Sequence, residues 1–101
     1  MTQSGTLQER FSSFSLAQQL LIFGSEVKRV ETLRAKGQEE YAQNAADRAF
    51  DILFLIFKDA RWRMRLRELT RLHEVFADAL TGGHAYGTTF AQLEKYLLFF
   101  A

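Results

Sequence analysis

The sequence predicts an all-α fold: an up-and-down antiparallel helical bundle of three long helices, with a short N-terminal turn and a short C-terminal helix, in one domain over residues 1–101. Three observations carry this. Apolar residues recur three and four positions apart over long stretches, the repeat of one helix face. Proline is absent and, Gly24 apart, the six glycines lie outside the periodic stretches; β-rich folds lean on both residues at their turns. Helix starts are also written in the chain, as Ser or Thr followed three residues later by Gln or Glu, the pair that caps a first turn reciprocally.

Residues 1–5 read as a loose tail. Thr6 with Glu9 opens a short helical turn to about Ser12, and Ser12, Ser13 and Ser15 interrupt it. Ser15 with Gln18 opens the first long helix, from about Ser15 to Lys36. Its seam is Leu16, Leu20, Phe23, Val27 and Val30. Arg34 and Lys36 suit the negative end of its dipole, and Gly37 is a natural stop.

The second helix runs from about Gln38 to Phe57, with Glu39 and Glu40 favourably placed in its first turn. Ala42, Ala45, Ala49, Ile52 and Ile56 form its seam. Phe50, Leu53 and Phe57 add a second stripe, and Phe54 and Leu55 widen the apolar face further. After a hinge at Lys58-Asp59, Asp59 caps a third helix to about Leu80, whose seam is Trp62, Leu66, Leu69, His73, Phe76 and Leu80. Gly82-Gly83 stops it, and residues 82–88 read as a loop. Thr89 with Gln92 opens a last helix, Phe90 to Phe100, presenting Leu93, Tyr96, Leu97 and Phe100.

Short connections make successive helices antiparallel neighbours. Folding the first two back about Gly37 sets Gly24 opposite Phe50, next to Ala49, and Glu26 opposite Arg48. A mid-helix glycine costs about 1 kcal/mol against alanine. Close approach of the second helix at Gly24 would account for it.

Composition narrows the function. A net charge of +1 gives no global attraction to nucleic acid or membrane, and the absence of Cys removes disulfides, thiolate catalysis and Cys-ligated metals. The N-terminus lacks the basic-then-apolar pattern of a signal peptide. The longest apolar run, Ile52 to Phe57, is far too short to span a bilayer. A cytoplasmic protein without membrane attachment or cofactor is expected.

Four features are candidates for function. Arg61, Arg63, Arg65, Arg67 and Arg71 form a cationic stripe at a helix start, where the dipole disfavours them. It would suit an acidic protein or RNA; pairing with Asp47 and Asp51 across the hinge, diluted by Glu68, Glu74 and Asp78, is the competing reading. Carboxylates at Asp47, Asp51 and Glu26 are the nearest approach to a hard-cation site, yet an arginine-paired solvated face explains them better, and no metal is expected. Neither His73 nor His84 has the Glu three positions earlier that di-iron bundles use. Finally, Phe50, Phe54, Leu55, Phe57, Leu98 and Phe99 exceed what the seams consume, which points to an assembly face and a homodimer. Cover by Leu7, Phe11 and Phe14 of the N-terminal turn and by the last helix is the alternative.

The segment Arg67-Glu-Leu-Thr-Arg-Leu-His73 resembles the Arg-x(4–6)-His motif of the HEPN ribonucleases, small all-helical proteins that are often dimeric. The resemblance implies metal-independent RNA cleavage, with Arg67 holding the scissile phosphate, His73 moving a proton and a second copy completing the site. Six steps of a regular helix turn roughly 600°, leaving these side chains about 120° apart. His73 also falls in the third seam, where a histidine is ordinarily buried on one hydrogen bond, here with Thr70 or to a carbonyl.

Phe23-Gly-Ser-Glu-Val27, Arg48-Ala-Phe-Asp-Ile-Leu53, Asp59-Ala-Arg-Trp62, Arg71-Leu-His-Glu-Val-Phe76 and Leu93-Glu-Lys-Tyr-Leu-Leu-Phe-Phe-Ala101 together resemble a family of short, uncharacterised prokaryotic proteins. That resemblance implies a helical bundle and no particular chemistry. The expectation is a non-enzymatic, self-associating interaction module, with a HEPN-type RNA-binding protein or ribonuclease as the alternative.

Overall fold

Ser15 shows how the sequence sets the first boundary. Its hydroxyl accepts from the Gln18 amide at 3.1 Å, and the Gln18 side chain accepts from the Ser15 amide at 2.8 Å. The computed structural model of the chain describes residues 6–82 and 89–98, without the side chains of residues 6–9, 90, 91 and 98. Five α-helices lie within them: α1 (Thr6–Ser13), α2 (Leu16–Ala35), α3 (Glu39–Lys58), α4 (Leu66–Leu80) and α5 (Phe90–Leu98). A 3₁₀ segment, Ala60–Arg65, joins α3 to α4, and no strand occurs among the described residues. The fold is all-α, a helical bundle. No helix among these residues is long and apolar enough to cross a membrane.

Gly37 ends α2 at φ +74°, a conformation that glycine adopts without strain, and Gly82 ends α4 at φ +92°. Thr89 and Gln92 cap α5 reciprocally, at 3.0 and 3.1 Å. The expected tail at residues 1–5, most of the loop 82–88, the Thr6–Glu9 capping pair and Phe100 lie outside the described residues.

The largest helix contact is α2 on α3. The register about Gly37 is the expected one at Glu26, whose carboxylate meets Arg48 Nε at 3.3 Å. Gly24 departs from expectation. A Cβ there would meet Leu97 Cδ1 at 3.4 Å and no atom of α3 within 4 Å, so the notch receives α5 instead of α3. Alanines supply the close packing on α3: Ala42, Ala45, Ala46 and Ala49 are all buried.

The core runs from Phe11 through Leu20, Phe23 and Val27 of α2, Leu53 and Ile56 of α3, Leu69, Leu72 and Phe76 of α4, to Leu93 of α5. Phe23 and Phe76 meet edge to face, with centroids 5.1 Å apart. On α3 the buried position is Leu53 and Ile52 is only half-buried, a small rotation of the expected seam.

The third helix differs most. Asp59 does cap it, accepting from the Arg61 amide at 3.0 Å, but Trp62 has φ −102° and ψ 18°, so the chain turns as 3₁₀ before α4 begins. The buried face of α4 is Leu69, Leu72, Val75, Phe76, Asp78 and Ala79, rotated away from Leu66 and His73. The reason is α5, which packs on α4 and draws that flank inward.

Candidate functional site

Phe50, Phe54 and Phe57 recur at four and three residues and therefore share one flank of α3. Phe50 rests on the core, 4.9 Å from Phe76. His73 of α4 lies against the same flank, with its ring 5.4 Å from Phe50 and 6.3 Å from Phe57. Phe54 projects beyond them, 60% exposed, with the Lys58 ammonium 5.2 Å from its ring centroid. Leu66 of α4, 39% exposed, lies seven residues before His73 and so on the same side of that helix.

Of the expected assembly residues, Phe50, Phe54 and Phe57 come together. Leu55 points to the other flank of α3, where it lines a groove with Phe11 and Ile22. Phe11 of the N-terminal turn thus lies on the Leu55 side of α3, while Phe54 stays 60% exposed. The Leu98 side chain and Phe99 lie outside the described residues.

His73 is exposed, not buried, and its contacts among the described residues are with phenylalanine rings instead of the expected hydrogen bond with Thr70 or to a carbonyl. Arg67 is exposed as well. Roughly 120° of helix rotation separates them on α4, so within one chain they face different ways.

The arginine stripe divides. Arg61 binds Asp59 through two nitrogens, with Nη2 to Oδ2 at 2.6 Å and Nε to Oδ1 at 3.0 Å, and its guanidinium lies 4.4 Å over the Trp62 ring. Arg65 pairs with Glu68. The Tyr96 phenol of α5 holds its proton more tightly than usual, first because it is partly buried; the Arg71 charge opposes this and the Glu68 charge adds to it. Arg63 and Arg67 remain exposed, with no carboxylate paired to them among the described residues. Asp59 neutralises Arg61 and Glu68 neutralises Arg65, both local in sequence. The expected Asp47 and Asp51 do not: Asp47 accepts from Gln43 at 3.0 Å, and Asp51 borders the Phe11–Ile22 groove. Asp78 is buried, 5% exposed.

A polar node that the seam pattern conceals lies beside the stripe. Gln19 is fully buried. Its Nε2 donates to the Phe11 carbonyl at 2.8 Å and to Asp59 Oδ2 at 3.4 Å, and its Oε1 accepts from Trp62 Nε1 at 2.8 Å. The Arg61 guanidinium, helped by the Arg61 amide and by Gln19, holds the Asp59 carboxyl at about 2 against an opposing push from burial. The one visible signal in the sequence is a glutamine at a seam position, three after Leu16 and four before Phe23.

A groove of about 320 Å³ separates α2 from α5, lined by Ala17, Leu20, Leu21, Gly24, Lys28 and Leu97, with Glu94 at its edge. Glu94 holds its proton more tightly than usual, first because it is buried and then because Glu31 lies beside it; Lys28, 4.0 Å away, opposes this. No group of three or more metal-ligating side chains occurs among the described residues; His84 lies outside them. Compared with protein-family models, with curated proteins and with solved structures, the chain matches none.

Proposed function

We propose that this chain is a non-enzymatic interaction module, one cytoplasmic domain that self-associates as a homodimer through the Phe50–Phe54–Phe57 flank of α3. The observation that carries the reading is Phe54: a phenyl ring 60% exposed, continuous with half-buried Phe50 and Phe57 and with exposed His73. Removing such a ring from water is worth about 1.5–3 kcal/mol, which makes it the natural anchor of an interface. Multi-angle light scattering of the full chain tests it. The wild type is expected at twice the chain mass and Phe54→Glu at the single mass, with helicity unchanged by circular dichroism. A monomeric wild type would overturn the reading.

Exposure of both Arg67 and His73 favours a second reading, the HEPN-type one, in which copies bring these groups together on RNA. Its test is metal-free incubation of a single-stranded RNA with wild type and with His73→Ala. The expected result is no cleavage by either. Cleavage by the wild type that His73→Ala loses would replace the first reading with the second.

A further inference from the structure

The outward stripe of α3 is electrically lopsided. Glu40 and Asp47 precede Phe54 and Lys58 follows it, and all four are exposed, while Asp51 borders the groove on the other flank. At 100° per residue, the charges of Glu40, Asp47 and Lys58 each fall within roughly 60° of Phe54 around the helix axis. None is neutralised by an ion pair on its own stripe: the described hydrogen bond to Asp47 comes from the neutral Gln43 amide, and Arg48 is turned to Glu26 on the other flank. The Lys58 ammonium lies over the Phe54 ring with no carboxylate paired to it among the described residues.

A stripe that is acidic in its N-terminal half, aromatic in the middle and cationic at its C-terminal end is mismatched to a parallel copy of itself and matched to an antiparallel one. We infer that a second copy docks α3 against α3 in antiparallel register, with Phe54 of each chain on Phe50 of the other and Lys58 of each facing the partner's Asp47. One register serves both contacts. Asp47 precedes Phe50 by three residues and Lys58 follows Phe54 by four, a mismatch of one residue, or about 1.5 Å of helix rise. RNA or an acidic protein laid along the same stripe would meet the carboxylates of Glu40 and Asp47. The two-fold pairing is isologous, as closed dimers require.

This inference rests on the homodimer reading and is tested so that the two fail separately. The full chain is measured by sedimentation equilibrium as wild type, Asp47→Lys, Lys58→Asp and the double swap. Each single reversal places like charges opposite one another twice per dimer and is expected to weaken dimerisation about tenfold. The double swap is expected to recover to within about threefold of wild type. Because the chain has no cysteine, oxidative cross-linking gives a second readout. Asp47→Cys mixed with Lys58→Cys is expected to form a covalent dimer, and Asp47→Cys alone is not. A dimer that Phe54→Glu abolishes but the double swap fails to restore would overturn the antiparallel register while leaving the dimer intact. So would cross-linking of Asp47→Cys to itself. A monomeric wild type would overturn both.

Discussion

Gln19 uses both ends of its amide to bind three segments that are distant in sequence: the end of α1 through the Phe11 carbonyl, the end of α3 through Asp59, and the 3₁₀ turn through the Trp62 indole. Gln19→Leu keeps most of the volume but strands the indole N–H and removes one of the two hydrogen bonds to the Phe11 carbonyl, which also accepts from the Phe14 amide at 3.1 Å, so it is expected to cost about 1–3 kcal/mol in urea unfolding. Glu94 acts in the opposite sense. An acid whose folded value lies above its ordinary 4.5 stabilises the fold fully only below 4.5, and that contribution is lost as pH rises through the folded value. Glu94→Gln is therefore expected to melt above wild type at neutral pH, with the gap closing toward pH 4. A gap independent of pH would mean that burial beside Glu31 is not the cause. Neither residue stands out in the sequence. Gln19 is one polar letter in an apolar seam, and the Glu31–Glu94 approach depends on how α5 docks, which no local pattern encodes.

Helices α2 and α3 were legible almost to the residue, because their ends are set by local chemistry: the Ser15–Gln18 box, the positive φ of Gly37, and the Glu26–Arg48 pair that fixes the register. The third helix was legible in extent but not in phase. A 3₁₀ start at Trp62 and cover from α5 turn its buried face toward Leu72, Val75 and Ala79, which leaves His73 outside. Gly24 illustrates the same limit. The sequence shows that a notch exists and not which helix fills it. A methyl group at Gly24 would sit 3.4 Å from Leu97 Cδ1, an ordinary contact. Gly24→Ala is therefore expected to stabilise the fold by up to about 1 kcal/mol through helix propensity. Gly24→Phe is expected to displace α5, exposing the buried Leu93 to hydrogen exchange in its backbone. A Gly24→Ala variant less stable than wild type would show that α5 sits closer than this.

At the scale of the whole molecule, the chain extends 39 × 32 × 18 Å, and since a helix is about 10 Å across, the thin dimension holds about two layers. A slab this thin leaves a solvent face on α3, which is why Phe54 was legible as surplus. Opposed titrations also meet at this scale. Asp59, at about 2 against an ordinary 3.8, contributes fully above 3.8 and loses its contribution as pH falls through 2, whereas the Glu94 contribution fades above 4.5. Between them these two groups favour a mildly acidic optimum. The same Asp59–Gln19–Trp62 node has an optical consequence. Trp62 is the sole tryptophan, and its indole is held by Gln19 and roofed by Arg61. Its emission therefore registers the junction of α1, α2 and the 3₁₀ turn and is blind to the far end of the slab. Should the α2–α3 turn at Gly37, the end of both helices remote from Gln19 and Asp59, fray first on heating, far-ultraviolet circular dichroism would fall while tryptophan fluorescence held steady, so a single chromophore gives this chain a built-in gauge of which end opens first.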